Sequence, residues 1–200
     1  MKSSIKFLAL LIAFAGFSLA AKAQTSSSKA TTIDGVRLSI GVESGIPTGN
    51  FSDSYNWNLG GSIQADIPVV KSLFVTVNTG YNNFFSKNDQ TESFQNVSVT
   101  TDYTDLHVLP AKLGLKFFPV SNFYIQGEAG ANFLLNKSDV GADKAAAFVY
   151  APQIGVQFPV GGKSFIDAGV RYEGTSSYND AGGSKINYFG IRVAYGFGTK

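Results

Sequence analysis

His107 is the single imidazole in a chain of 200 residues that contains no cysteine. An imidazole can take the proton from a serine hydroxyl attacking a lipid ester. Ser98 is the nearest serine on its N-terminal side, but no spacing singles out a partner or an orienting acid. His107 is therefore read as a rim histidine in a polar layer, no catalytic residue is assigned, and no enzymatic activity is expected. Pro110 complicates its facing, because a bulge there would reverse parity between His107 and Leu113. Asp102, Asp105, Asp139, Asp143 and Asp180 carry oxygens of the kind calcium takes, yet no EF-hand spacing is present, and they read as solvated loop acids. Without cysteine, and with one histidine, disulfides, thiol catalysis, iron–sulfur clusters and any two-imidazole metal site drop out. No metal and no cofactor is expected. A formal charge of +2 with no basic cluster argues against nucleic acid.

The elements that hold these residues begin with an address. Lys2 and Lys6 precede an apolar run from Phe7 to Ala20, and Ala21-Lys22-Ala23 places small residues where a signal peptidase reads them. Residues 1–23 are expected to be a secretory signal, residues 24–35 a short polar segment, and residues 36–198 the folded domain. Removing Lys2, Lys6 and Lys22 from the 16 basic residues leaves 13 against 14 acids, so the slight basicity belongs to the signal.

From Val36 onward the periodicity is two, with no sustained helical apolar stripe. Eight strands are predicted: 36–43, 57–67, 73–81, 105–118, 123–134, 148–158, 165–173 and 187–197. Their lengths bracket the ~9–11 residues that cross a bilayer at a tilt. Connections alternate between short and long. Ile67-Pro68-Val69, Phe118-Pro119-Val120 and Phe158-Pro159-Val160 mark three short joints, each stopped by a proline that cannot donate to a ladder. The other gaps run to about 13 residues, and 23 over Asn82–Thr104. Short turns on one rim and long loops on the other are the asymmetry of outer-membrane barrels.

The charges decide which face meets lipid. Arg37, Glu43, Asp66, Lys112, Lys116, Glu128, Asp167, Arg171, Glu173 and Arg192 lie on the predicted strands. A Lys or Arg costs ~2–4 kcal/mol on the lipid face at the midplane, so the basic members alone would consume a domain's net stability of ~5–15 kcal/mol. They must face the lumen. Five are basic and five acidic, which predicts a paired ionic network filling an eight-stranded interior. Trp57, Tyr81, Phe84, Phe85 and Tyr103 fall near the loose rim, and Phe117, Phe118, Phe123, Phe158, Phe165 and Phe197 near the tight one, as an interfacial aromatic girdle. In the loop 82–104, Val97, Val99, Thr101 and Tyr103 keep period two. Either a ribbon with a free edge or an unstructured polar loop fits that pattern, and the ribbon would make the loop a surface-binding element.

The strands Leu106–Phe118, Phe123–Gly130 and Tyr188–Phe197 resemble those of the small outer-membrane β-barrel domain family, that of the outer membrane protein A transmembrane domain and OmpX. The resemblance implies an all-β fold, a closed eight-stranded antiparallel up-and-down transmembrane barrel in a Gram-negative outer membrane. It also implies outer-membrane lipid and the barrel-assembly machinery as partners, the latter reading Tyr195 and Phe197 in the last strand. Gly198-Thr199-Lys200 follow that aromatic, a departure from members that end on it. A structural or surface-interaction role is expected. A narrow porin-like channel, a lipid-modifying enzyme using His107, and a soluble ligand-binding barrel remain the rival readings.

Overall fold

The computed structural model describes residues 35–87 and 104–199, and the backbone alone of 90–94 and 97–101. The expected signal peptide, and the polar segment before Gly35, lie outside the described residues. The strands are β1 (Arg37–Pro47), β2 (Tyr55–Val70), β3 (Leu73–Ser86), β4 (Gln90–Phe94), β5 (Val97–Thr101), β6 (Leu106–Phe117), β7 (Phe123–Leu134), β8 (Ala146–Gly161), β9 (Ser164–Thr175) and β10 (Asn187–Gly198), with a one-turn helix α1 (Phe51–Ser54) before β2. Eight of them close into an antiparallel barrel in the order β1-β10-β9-β8-β7-β6-β3-β2, and β4 and β5 pair with each other.

Alternation along each strand explains the closure. In β10 Tyr188, Gly190, Arg192, Ala194 and Gly196 are buried, while Phe189, Ile191, Val193, Tyr195 and Phe197 are exposed. Residues such as Val42 and Leu113, 63% and 62% exposed, belong to a continuous apolar outer wall. In water such a wall would be a liability; against hydrocarbon it is the stabilising surface. Closure pairs the first strand with the last over Arg37↔Gly198 to Pro47↔Tyr188, so the barrel has no open edge.

Several boundaries differ from the sequence reading. Strands β1, β2, β3, β8 and β9 run longer than predicted by three residues or more, and the first long connection shrinks to residues 48–54. Strands of 14 and 16 residues exceed a bilayer crossing and carry their ladders past the membrane. Pro68 and Pro159 do not end their strands. Each lies just inside one, beside a register shift that absorbs the missing donor. Pro119 does follow its strand. The β8–β9 turn needs glycine, since Gly161 and Gly162 have φ of 134° and 56°. At Pro110 the ladder to β3 is interrupted, yet register is equal on both sides, from Thr79↔Ala111 to Asn82↔Val108. There is no bulge, and His107 keeps the outward facing of Leu113.

Candidate functional site

The lumen is built in three layers. The middle one is ionic, and its members form an unbroken alternation of sign. Asp66 Oδ2 lies 2.8 Å from Lys116 Nζ, which is 3.6 Å from Asp167. Asp167 is 3.5 Å from Arg192, and Arg192 is 3.5 Å from Glu43. Glu43 is 3.2 Å from Arg171, and Arg171 is 4.0 Å from Glu173. Glu173 is 2.5 Å from Lys112, whose other neighbour Glu128 stands at 3.7 Å. Five acids and four bases thus run in one chain through strands β2, β6, β9, β10, β1 and β7. Strands β3 and β8 add Thr76, Gln153 and Gln157 as neutral partners, and Asn78 Nδ2 donates to Gln64 Oε1, whose own amide donates to Asp66.

Burial of so many charges is tolerable only because each finds more than one partner. Arg192 donates to Ser39 Oγ and Ser62 Oγ at 3.0 Å besides its carboxylates. Tyr124 Oη donates to Asp167 at 2.8 Å, and the Lys116 ammonium sits 4.6 Å above the same ring.

Arg37, the tenth residue of the expected network, is placed differently. Its guanidinium lies over the rings of Phe74 and Phe118, at 4.5 and 5.8 Å, and reaches Gln157 Oε1 at 3.5 Å. Phe74, Phe118 and Tyr124 form an apolar plug at the short-turn mouth. A larger plug fills the loose-rim mouth: Phe84, Leu106, Val108, Leu134, Ala147, Tyr178, Ile186 and Tyr188, with Phe51, Tyr55, Val140 and Ala142 against it. Tyr178, from the β9–β10 loop, ties this cap to the wall by donating to Asn132 O at 3.1 Å. Its burial, and then the nearby Glu173 carboxylate, push the phenol's pKa above its usual range.

These plugs correct part of the aromatic girdle. Trp57 and Tyr81 do face outward at the loose rim, and Phe117, Phe158 and Phe197 at the tight one. Phe123 is half-buried on the outward side, and Tyr195 faces outward and donates to Ser164 Oγ. Phe165, however, is buried inside the barrel, as are Phe84 and Phe118. Phe165 shares parity with Asp167, and Phe84 with Asn82, so strand phase puts them in the lumen although their height suits a girdle. The side chain of Tyr103 lies outside the described residues. Leu106 and Val108 are apolar too, yet they share the phase of Lys112 and point inward. Tyr124, Tyr178 and Tyr188 were missed altogether. For Tyr124 and Tyr188 the signal was present, since they share phase with Glu128 and Arg192; Tyr178 is in a loop, where phase says nothing.

At the loose rim, His107 Nδ1 is 2.7 Å from Tyr81 Oη, with the two rings stacked at 6.0 Å. Asp105 closes the base of the long loop: it accepts from Ser86 N–H at 2.9 Å, Ser86 Oγ at 3.1 Å and Asn83 Nδ2 at 3.3 Å. Burial pushes its carboxyl up, but the Ser86 N–H and the other donors outweigh this and hold it below the usual carboxylate value. Beyond that base, β4 and β5 pair from Gln90↔Thr101 to Phe94↔Val97. The region 82–104 therefore contains a ribbon, and among the described residues neither of its strands pairs with a third. No three acidic or His side chains among the described residues are grouped so as to hold a metal ion.

Comparison with known proteins agrees with this geometry. No curated protein matches the chain. The solved structure of the outer membrane protein OprG from Pseudomonas aeruginosa is similar, at 11% identity over 83% of this chain and 96% of that one, with a TM-score of 0.51, and it shows the shared fold. Ail, the attachment invasion locus protein of Yersinia pestis, matches at 16% identity over 82% and 99% with a TM-score of 0.47. The outer membrane protein AlkL matches at 14% identity over 88% and 96%, with a TM-score of 0.49. The family model of the outer membrane protein beta-barrel domain matches residues 9–197. The chain belongs to that family, and it is a protein of the outer membrane.

Proposed function

We propose that the barrel is a closed, non-catalytic anchor that presents the β4–β5 ribbon at the cell surface for binding. The observation that carries this reading is the ribbon, a hairpin that lies between β3 and β6 in the sequence and leaves two strand edges without partners among the described residues. Unpaired edges offer a row of N–H and C=O groups to an extended segment of another protein. Loops rise on that rim because the short turns of this family face the periplasm. Support for a non-conducting barrel comes from its three layers, two apolar plugs around a chain of paired charges of alternating sign. Support for leaving catalysis out comes from His107, whose ring faces the outer wall and is occupied by Tyr81.

The test replaces residues 88–103, above the Ser86–Asp105 closure, with a short Gly-Ser linker. Heat-dependent gel mobility should show the shortened barrel assembled as before. Vesicles carrying the intact chain should adhere to immobilised β-prone peptides, and vesicles with the shortened chain should not. Equal adhesion removes the reading. Planar-bilayer recordings should show no unitary steps from the intact chain, and clear steps would favour a channel instead.

A further inference from the structure

At the loose rim the outer wall turns polar over three consecutive staves, β2, β3 and β6. Tyr81 and Asn83 on β3, and Asp105 and His107 at the start of β6, hold outward positions, while Phe84 and Leu106 between them point inward. Trp57 on β2 stacks on its cross-strand partner Phe85, with ring centroids 4.4 Å apart. Polar groups are costly against hydrocarbon, whereas Trp and Tyr mark the headgroup level. The short turns of this family face the periplasm, so this level belongs to the outer leaflet.

The patch is held in one geometry. His107 and Asn83 are Cα partners across β3 and β6, and Asn83 Nδ2 donates to Asp105 at 3.3 Å. His107 Nδ1 lies 2.7 Å from Tyr81 Oη with the two rings stacked. A phenol has one proton to donate, and so does a neutral imidazole. One of those protons lies between Oη and Nδ1, so the pair presents one donor and one acceptor to an outside group: Nε2–H with Oη, or Oη–H with Nε2. A hydroxyl, itself both donor and acceptor, matches the two. Asp105, two residues along the same outward face, sets a carboxylate beside the pair and disfavours a phosphate there. Trp57 is exposed, and the negative face of its ring suits the C–H groups of a sugar.

We infer that this patch binds the sugar headgroup of an outer-leaflet glycolipid, with the Tyr81–His107 pair on its hydroxyls and Trp57 against its ring. The assignment goes beyond the surface-ribbon reading and does not depend on it, since none of these residues belongs to β4 or β5.

The test uses the barrel in phosphatidylcholine nanodiscs doped with rising mole fractions of monogalactosyldiacylglycerol, and separately with phosphatidic acid. Trp57 is the single tryptophan of the chain, so its indole N–H gives one assignable NMR signal. That signal should shift saturably with the galactolipid and not with phosphatidic acid. Tyr81→Phe and His107→Leu should each raise the half-saturating fraction about threefold to tenfold, the worth of one hydrogen bond. Heat-dependent gel mobility shows that each variant is assembled, and Tyr81→Phe, which keeps the ring, decides if His107→Leu does not assemble. Replacing residues 88–103 with the Gly-Ser linker should leave the shift in place, so failure of the ribbon and failure of this site are read separately. A shift that grows linearly without saturating, an equal shift with phosphatidic acid, or an unchanged half-saturating fraction in the assembled variants overturns the inference.

Discussion

Glu43 and Arg192 face each other across the seam where the barrel closes: they are Cα partners between β1 and β10, and Arg192 Nε lies 3.5 Å from Glu43 Oε1. The first and last strands are thereby joined by backbone ladder and buried charge at the same height. Arg192 also contacts Asp167 on β9 and Ser62 on β2, so one guanidinium spans four consecutive staves. The seam is consequently held by buried charge as well as by its backbone ladder.

Lys112 separates Glu128 from Glu173. Lys112→Met would leave two buried carboxylates facing one another, and removing one partner of a buried pair costs ~3–5 kcal/mol. Urea unfolding in micelles, followed by the fluorescence of Trp57, should show a loss of that size. Adding Glu173→Gln to Lys112→Met should restore part of it.

Gly127 and Gly130 lie on opposite faces of β7 and should respond oppositely to a methyl group. A Cβ at Gly127 meets nothing within 4 Å, and Gly127→Ala should fold unchanged. A Cβ at Gly130 would come within 2.0 Å of Ala111 O, a backbone atom of the neighbouring strand. Gly130→Ala should cost ~1–3 kcal/mol or more, as overpacking does, and slow assembly on heat-shift gels.

Tyr178→Ala should loosen the loose-rim cap without opening a conductance. The lost ring is nearly fully buried among Leu134, Ile186 and Tyr188. A large-to-small change there costs ~3–5 kcal/mol in a rigid core, and a loop residue belongs at or below the bottom of that range. If the barrel is the closed anchor proposed above, bilayer recordings should remain silent, since Tyr178 is no part of the ionic chain.

Asp105 makes the base of the ribbon acid-sensitive. Its folded carboxyl titrates below the ordinary value of 3.8, so its stabilisation is complete above that value and is lost as pH falls through the folded one. Amide exchange at Ser86 should be slow near neutral pH and speed up, relative to its intrinsic rate, below about pH 4. Asp105→Asn should show faster exchange at neutral pH and no such acid step.

Much of this architecture is legible from period two and the position of charge. Arg171, Glu43 and Arg192 could only point inward, because hydrocarbon admits no such group, and that constraint fixed the phase of three strands at once. The same constraint is silent for apolar residues. Leu106 and Phe165 are as acceptable in a plug as on lipid, and only counting two from Lys112 or Asp167 shows where they go. Phe165 sits at girdle height, but the phase it shares with Asp167 places it in the lumen. The order of partners within the ionic chain was not legible, since it depends on how staves of different stagger bring β9 residues to β1 and β6. Nor could alternation decide whether residues 90–101 formed a ribbon, since alternating residues describe a possible strand and not its partner.

The two apolar plugs have a further consequence for the charges between them. Counter-ions weaken electrostatic attraction only where they can approach, and the charged side chains between the two apolar clusters are almost fully buried. The interior behaves as an insulated circuit. Brine or fresh water outside the cell should leave the stability of the barrel wall unaltered, while the exposed Lys144–Asp180 contact in the loops above responds to every change.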